Sequence, residues 1–178
     1  MKKVIISGFG GQGVLSLGKF IAHSALFQDL NTSWMPSYGP EMRGGTCNCS
    51  VIYGAGEVAA PVIDFPDILI ALNEPSLDKF GPRVKKGGII IVNSNIVKKK
   101  IDRSDVKFYE VPVDELAEKI NKRGGNIITL GILIKLLGDL KQDSAEKAIK
   151  EVFADKPKVI EPNIKCLQAG IDFAANLK

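Results

Sequence analysis

The sequence has few of the residues that bind metal ions. Its 178 residues include three cysteines and one histidine, His23. An iron–sulfur cluster usually takes four thiolates, and a structural zinc site needs a comparable set of ligands. Cys47 and Cys49 stand two positions apart, where a strand points both side chains to the same face. We interpret them as reduced, buried thiols and expect no metal site in this chain.

The sequence also lacks a membrane-spanning run and a strong net charge. Only three apolar residues follow Met1-Lys2-Lys3, too few for the core of a signal peptide, and Lys135 interrupts the longest apolar helical pattern. The 24 basic and 20 acidic residues give a net charge of +4, with the basic residues scattered apart from one short cluster at 98–100. We expect a cytoplasmic protein that binds neither nucleic acid nor membrane.

The hydrophobic pattern predicts a layered α/β fold. With 45% hydrophobic residues, the chain can bury one core, and we predict a single domain over residues 1–178. Short strands alternate with helices, and one antiparallel hairpin interrupts the parallel pattern. We therefore predict a three-layer αβα fold with a Rossmann-like mixed sheet and a β-hairpin insertion. The predicted strands are residues 3–7, 31–38, 46–53, 67–72, 88–92 and 106–111.

Helical spacing of apolar residues predicts the layers that flank the sheet. Residues 14–27 carry one apolar stripe, which can pack on the sheet. A later segment, capped by Asn126 and running to about residue 140, is apolar on almost every side and must be covered on most of them. Asp143 and Glu146 have the spacing of a capping box for the helix that follows.

A glycine-rich turn follows the first strand. The spacing G-x-G-x-x-G between a strand and a helix lets the backbone approach a phosphate at the helix N-terminus. A dinucleotide site would also need an acidic residue at the end of the second strand, and Asp29 precedes that strand instead. The turn therefore predicts either an anion-binding site or a tight structural turn. Its candidate residues are Gly8, Gly10, Gly11, Gln12 and Gly13.

The hairpin segment at residues 33–45 has the composition of an interface. Trp34, Tyr38 and Met42 belong to the residue types that dominate buried interface cores. Arg43, beside two glycines, can offer its planar guanidinium to a carboxylate or a phosphate. The alternative is a hairpin packed on its own domain, with Arg43 paired to a neighbouring acid. Both interpretations are compatible with the residues alone.

Three motifs together resemble a known family. The glycine turn, the segment Ser37-Tyr38-Gly39-Pro40-Glu41-Met42-Arg43-Gly44-Gly45, and Asn126 before Leu130-Gly131 resemble the gamma subunit of 2-oxoacid:ferredoxin oxidoreductases over essentially the whole chain. The resemblance implies a multisubunit enzyme that decarboxylates a 2-oxoacid on thiamine diphosphate. Electrons pass through iron–sulfur clusters to ferredoxin, and the acyl group passes to coenzyme A. The same domain occurs in larger pyruvate:ferredoxin oxidoreductase chains and in indolepyruvate oxidoreductase, so the motifs identify the domain and not the substrate.

The resemblance also implies a division of labour between subunits. Thiamine diphosphate is held by the alpha and beta subunits and the clusters by a ferredoxin-like delta subunit, which agrees with three cysteines and with Gly138-Asp139 being followed by Leu140 rather than glycine. We expect the isolated chain to bind no cofactor, to contain no catalytic residue, to be inactive and to be able to form a homodimer. Its expected contributions are assembly and the approach of coenzyme A. The residues implied to face the partners or the active site are Tyr38, Gly39, Glu41, Arg43 and Gly44.

Two other functions remain open at this point. One is a standalone nucleotide-binding oxidoreductase that uses the glycine turn for NAD(P) or FAD. The other is a non-catalytic scaffold protein with a Rossmann-like fold. Cofactor binding by the purified chain would favour the first, and the identity of the proteins that copurify with it bears on the second.

Overall fold

The computed structural model describes residues 1–38 and 46–177 and contains a six-stranded mixed sheet. The strands are β1 (Lys2–Phe9), β2 (Asn31–Tyr38), β3 (Thr46–Gly54), β4 (Ile68–Ala71), β5 (Ile89–Asn93) and β6 (Lys107–Val111). Their order in the sheet is β2-β3-β1-β4-β5-β6. β1, β4, β5 and β6 run parallel, whereas β3 is antiparallel to both of its neighbours, β1 and β2. The predicted mixed sheet and its hairpin are confirmed, with strand ends shifted by one or two residues.

Six helices accompany the sheet within the described residues. They are α1 (Val14–Leu26), α2 (Glu74–Phe80), α3 (Val113–Glu118), α4 (Gly125–Leu137), α5 (Gln142–Val152) and α6 (Ile160–Ala175). Helix α4 ends three residues earlier than predicted, because Gly138 adopts a left-handed conformation with φ 70° and its amide donates to the carbonyl of Ile134.

Two predicted helix caps are wrong. Asn126 is the second residue of α4, so it lies inside the helix, and its side chain accepts from the amide of Ile127. Helix α5 begins at Gln142, before the predicted cap Asp143, and its N-cap residue makes no side-chain cap. Glu146 instead accepts a 3.0 Å hydrogen bond from the side chain of Gln142. Local spacing indicated a capping box, but the N-cap is Lys141, two residues before Asp143, so the box does not form.

The two faces of the sheet have different covers. Strand residues alternate between the faces, so Ile6 belongs to one core cluster and Ile5 to the other. The larger cluster combines the first face with residues of α1, α3, α4, α5 and α6. The second face is covered by the short helix α2 and by loop residues such as Ile63 and Val97. The fold is therefore a three-layer α/β fold with one thick and one thin outer layer.

Helices α4 and α6 approach each other unusually closely. Residues 127–134 of α4 are buried on every side, as the predicted all-apolar helix requires. A Cβ atom on Gly131 would overlap the carbonyl oxygen of Leu167, and one on Gly170 would overlap the carbonyl oxygen of Ile128. Only glycine permits this contact between two helix backbones. The Leu130-Gly131 motif of the sequence is therefore a packing feature that holds α4 in place.

The predicted burial of the hairpin cysteines is confirmed. Cys47 and Cys49 of β3 both lie in the core cluster beside α1, and their thiols are free. The thiol of Cys49 lies 3.5 Å from the carbonyl oxygen of Val14, to which it donates. Burial raises the pKa of Cys49 to about 12, with a smaller opposing contribution from a hydrogen bond with Trp34. These cysteines act as small apolar side chains at neutral pH.

Candidate functional site

The carboxyl edge of the parallel strands is where two long helices begin. β1 ends at Phe9 and leads through the glycine turn into α1, and α4 begins at Gly125. A Cβ atom on Gly13 would lie 3.1 Å from the Cβ atom of Asn126, so the first turns of α1 and α4 are in contact. Both helices are 13 residues long, and their free first-turn amides carry partial positive charge. Two helix N-termini thus meet at one point of this edge.

The glycines of the turn have different structural roles. Gly8 lies inside β1, whereas Gly10 and Gly11 form the exposed part of the turn. Gly11 has a φ of 98° with open space around it, and Gly13 has a φ of 77° at the N-cap of α1. Residues with a side chain rarely adopt these conformations, so the turn needs glycine at both positions.

The side chain of Gln12 is bound within the chain. Its Oε1 atom accepts from the Phe9 amide at 2.6 Å, and its Nε2 atom donates to the Leu72 carbonyl at 2.9 Å. The backbone amide of Gln12 donates to the Phe9 carbonyl at 3.2 Å. Gln12 therefore connects the glycine turn to the residue that follows β4.

Two clefts flank the glycine turn. The cleft on the α4 side has a volume of about 420 Å³ and mostly polar walls. The cleft on the β3 side has a volume of about 330 Å³ and includes Cys47. Gly11, Gly13 and Ser16 line both clefts, so the turn separates them. The α4-side cleft is further lined by Gln12, Asp114, Lys122, Arg123, Gly125 and Asn126.

The α4-side cleft is lined by two cations and one carboxylate. Lys122 and Arg123 are exposed and directly precede the glycines that start α4. The Lys122 ammonium lies 3.3 Å from Glu118 in an exposed pair, which is worth little energy. Asp114, which also lines this cleft, accepts from the Asn93 side chain at 3.2 Å. The two cations and the helix N-termini together favour an anion on the α4 side of the turn.

Several polar residues lie at or just after the strand ends of this edge, and one of them, Asn93, reaches the cleft. Asn93 lines the smaller part of the cleft between β4, β5 and α3, about 220 Å³ in volume. Asn73 caps α2 by accepting from the Ser76 amide at 2.9 Å, and the Ser7 hydroxyl lies 2.8 Å from that of Ser76. Glu74 accepts from the amides of two lysines in the 98–100 cluster. These contacts make Ser7, Asn73 and Glu74 structural in this chain.

The lysines of the basic cluster at residues 98–100 form ion pairs and hydrogen bonds with neighbouring residues. Lys99 pairs with Asp78, and Lys100 pairs with Glu110 at 3.1 Å. The ammonium of Lys98 donates to the carbonyl of Ser94 at 2.6 Å. These exposed contacts make the cluster a solvated, internally paired turn.

The hairpin strands bring Tyr38 and Thr46 to the same edge of the sheet as the glycine turn. Across the ladder, Cys47 of β3 stands opposite Gly8 on one side and Tyr38 on the other. Tyr38 is the last residue of β2. The other predicted partner-facing residues, Gly39, Glu41, Arg43 and Gly44, lie outside the described residues. Their role, and that of Tyr38, remains a prediction.

Trp34 belongs to β2 rather than to the loop, and it contacts α1. Its indole Nε1 lies 2.8 Å from the position that a Cβ atom on Gly18 would occupy. The side chain is nevertheless 38% exposed. Its position supports the alternative interpretation, packing on its own domain, for this one aromatic residue.

Sequence patterns did not single out Lys122, Arg123 or Asp114. The sequence did contain a signal for Lys122 and Arg123, because both directly precede a second glycine-rich helix start, Gly124-Gly125. That signal becomes specific only when the fold places it beside the first glycine turn.

Within residues 1–38 and 46–177, no group of three His, Cys, Asp or Glu side chains is arranged to hold a metal ion. Among these same residues no helix has the length and apolarity needed to cross a membrane.

Comparison with known proteins gives consistent matches over the whole chain. The profile of the family described as "Pyruvate ferredoxin/flavodoxin oxidoreductase" matches residues 3–173. Ketoisovalerate oxidoreductase subunit VorA of Methanothermobacter thermautotrophicus is 43% identical over 97% of this chain but 36% of its own length. The chain thus spans about a third of that relative. The 2-oxoglutarate synthase subunit KorC of Methanocaldococcus jannaschii is 32% identical over 99% of this chain and 95% of its own.

A solved structure supports the same relationship. The gamma subunit of a keto/oxoacid ferredoxin oxidoreductase from Geobacter sulfurreducens is similar over 99% of this chain and 100% of its own length. The TM-score is 0.82 and the sequence identity is 28%. The likeness extends through the sheet, the hairpin and the helical layer described above.

Proposed function

Because this chain belongs to the pyruvate ferredoxin/flavodoxin oxidoreductase family, we propose that it is the gamma component of a multisubunit 2-oxoacid:ferredoxin oxidoreductase. The assembled enzyme decarboxylates a 2-oxoacid oxidatively, transfers the acyl group to coenzyme A and passes the electrons to ferredoxin. The similarity to subunits named for ketoisovalerate and for 2-oxoglutarate supports this reaction class. The substrates implied by those names differ, so the proposal specifies a 2-oxoacid and no individual one.

The contribution of this chain is to line the approach of coenzyme A at the carboxyl edge of its sheet. The observation that carries this role is the contact between the N-termini of α1 and α4 beside Lys122 and Arg123. Coenzyme A is rich in phosphate, and helix N-termini and cations both stabilise phosphate groups. Gly10 and Gly11 allow the backbone to come close to such an anion. We assign this chain no catalytic residue.

The remaining subunits supply the chemistry. Thiamine diphosphate, bound by the alpha and beta subunits, supports decarboxylation, and iron–sulfur clusters in a ferredoxin-like delta subunit carry electrons. The length of VorA, of which this chain matches 36%, supports a domain that works beside further protein. Both core clusters belong to the same sheet, which supports the proposal of a single domain. The cytoplasmic location and the homodimer of the isolated chain remain predictions from the sequence.

Purification of the native assembly tests this function. The chain, isolated with its partners under anaerobic conditions, should copurify with thiamine diphosphate-binding and iron–sulfur subunits. The assembly should reduce ferredoxin with a 2-oxoacid in a reaction that depends on coenzyme A, and omission of this chain should abolish or strongly weaken that dependence. A chain that copurifies with none of these subunits would contradict the proposal and favour a scaffold function.

A standalone nucleotide-binding oxidoreductase is less compatible with the fold. Asp29, the acid nearest to the expected spacing, is exposed in the turn after α1, at the end of the helix opposite to the glycine turn. The next strand, β2, is separated from β1 by the antiparallel strand β3, so it does not bring a ribose-binding acid beside the turn. Titration of the purified chain with NAD(P) and FAD should give no thermal shift. A clear shift with any of them would revive this alternative.

A further inference from the structure

We propose that Gln12 is a positioning residue whose side-chain amide fixes the glycine turn to the end of β4 and so sets the geometry in which the turn meets its anionic ligand. The side chain acts by holding the backbone of the turn. This inference rests on the proposed function, because it deepens the role of the glycine turn in the approach of coenzyme A. It rests on the Gln12 contacts with Phe9 and Leu72.

Gln12 joins two strands that border the candidate site. The Phe9 amide, at the end of β1, donates to its Oε1 atom at 2.6 Å. Its Nε2 atom donates at 2.9 Å to the carbonyl of Leu72, whose own amide donates to the Ser7 carbonyl of β1. Each polar atom of the side chain therefore has a protein partner. A side chain used in this way holds backbone in place rather than reaching toward a ligand.

The first glycine of the motif has a role that follows from Gln12. A Cβ atom on Gly8 would lie 2.6 Å from the Oε1 atom of Gln12 and 3.0 Å from the Cβ atom of Leu72. Real side chains essentially never come so close to a Cβ atom. Gly8 is thus the position that makes room for the Gln12 amide, and the two residues form one structural unit.

The unit controls the turn that lies between its ends. Phe9 and Gln12 are joined twice, through the Gln12 side chain and through the bond from the Gln12 amide to the Phe9 carbonyl. Gly10 and Gly11 lie between them, and Gly11 has the left-handed φ of 98°. Without the side-chain bonds, a turn of two glycines can sample many other conformations. Ligand affinity should then fall, whereas the chemistry in the other subunits should continue at its usual rate.

The chain offers a matched control at the other end of α1. The Nε2 atom of Gln28 donates to the Asp139 carbonyl at 3.0 Å, and its Oε1 atom accepts from the Lys141 amide. This is the same kind of two-sided amide bridge, far from the glycine turn. Gln28→Ala removes an equivalent pair of hydrogen bonds, so it reports what a purely structural loss does to the enzyme.

Substitution by glutamate provides a second readout. In Gln12→Glu one carboxylate oxygen can still accept from Phe9, but the other faces the Leu72 carbonyl without a proton to donate. Protonation of this carboxyl group restores the donor. The KM for coenzyme A of Gln12→Glu should therefore approach that of the wild type as the pH falls toward the pKa of the carboxyl group. A wild-type assembly measured over the same pH range corrects for every other titrating group.

The experiment compares the assembled enzyme containing wild-type chain, Gln12→Ala, Gln12→Glu, Gln28→Ala or Gln28→Glu. We expect Gln12→Ala to raise the KM for coenzyme A about tenfold with kcat within about twofold, and amide exchange of Phe9 to accelerate by a similar factor. Both Gln28 variants should leave this KM and its pH profile unchanged. An unchanged Phe9 exchange rate in Gln12→Ala would overturn the bridge itself.

The outcomes separate this inference from the proposed function. If Gln12→Ala accelerates the exchange of the Phe9 amide but leaves the KM for coenzyme A unchanged, the positioning role is wrong. The same conclusion follows if the KM of Gln12→Glu and that of Gln28→Glu depend on pH in the same way. Failure of the wild-type assembly to oxidise 2-oxoacids would instead overturn the proposed function. In that case the exchange rate of Phe9 would still decide whether Gln12 holds the turn.

Discussion

Replacement of Gly131 by alanine should force α4 and α6 apart. The new methyl group would overlap the Leu167 carbonyl oxygen and would lie 3.0 Å from the Ile171 amide and 3.2 Å from the Gly170 Cα atom. All three atoms are backbone, so no side chain can rotate to make room. Overpacking of this kind costs about 3 kcal/mol, at the upper end of the usual range. Alanine regains about 1 kcal/mol of helix propensity over glycine, which leaves a net loss of about 2 kcal/mol.

The thermal shift follows from that value. For a chain of this size, 1 kcal/mol lowers Tm by about 2–4 °C, so Gly131→Ala should melt about 4–8 °C below the wild type. Gly170→Ala should behave similarly, because its methyl group would overlap the Ile128 carbonyl oxygen. One separation of the helices relieves both overlaps, so the double variant should lose at least about 1 kcal/mol less than the sum of the single losses.

Differential scanning calorimetry of the single and double variants measures these shifts. Gly56→Ala is the matched control, because its methyl group would make only an ordinary 3.5 Å contact with Met1. Its Tm should stay within about 1 °C of the wild type. A Tm of Gly131→Ala equal to that of the control, or strictly additive losses in the double variant, would refute the close packing of α4 on α6.

Three further predictions concern charge and the partner segment. The pKa of Cys49 is raised by burial to about 12, so the folded state keeps this proton where the unfolded chain loses it. Stability is therefore lost as the pH rises above about 9, and at pH 10 the loss is on the order of 1 kcal/mol relative to pH 7. Urea unfolding of the wild type and Cys49→Ala at both pH values measures it, and equal pH dependence of the two proteins would contradict the burial argument. Arg123→Glu in the assembled enzyme should raise the KM for coenzyme A on the order of tenfold, and by more at low salt. Lys86→Glu makes the same charge change at the opposite edge of the sheet and should leave this KM unchanged. Equal effects of the two variants would show that net charge, and not the cleft, determines the KM. Arg43→Ala should weaken subunit association or raise the coenzyme A requirement, while the Tm of the isolated chain stays within about 1 °C of the wild type. Sedimentation measures the assembly and steady-state assays measure the kinetics. If both are unchanged, Arg43 has no role at the interface.

The sequence predicted the elements of this fold better than their arrangement. Period-two and helical patterns identified the strands and the main helices, because both depend on which local residues are apolar. Strand order was not predictable in the same way, because no local pattern in the residues of β3 indicates that this strand lies between β2 and β1. The capping box at Asp143 failed because α5 begins at Gln142, whose side chain also donates to Gln168 of α6 at 3.0 Å. Such choices are decided by packing across the whole chain.

The glycine turn shows how far a motif can be read from spacing alone. Spacing identified a strand, a turn and a helix, and in the sequence Gly8, Gly10, Gly11 and Gly13 group together as candidate residues of one turn. In the fold, Gly8 accommodates Gln12, while Gly11 needs its freedom for a left-handed conformation. The partner of Gln12, the carbonyl of Leu72, is 60 residues away in the chain. A contact over such a separation leaves no trace in a single sequence.

Strand register connects the two motifs that first indicated the family. Cys47 stands between Gly8 and Tyr38 across the ladder, and Thr46 stands opposite Phe9. The residues on either side of the 39–45 segment therefore lie at the same edge of the sheet as the glycine turn. A partner that binds this segment would also border the β3-side cleft, and the turn alone separates that cleft from the one lined by Arg123. Subunit assembly and coenzyme A binding should consequently be coupled, so that coenzyme A tightens the association of this chain with its partner and partner binding lowers the Kd for coenzyme A by the same free energy.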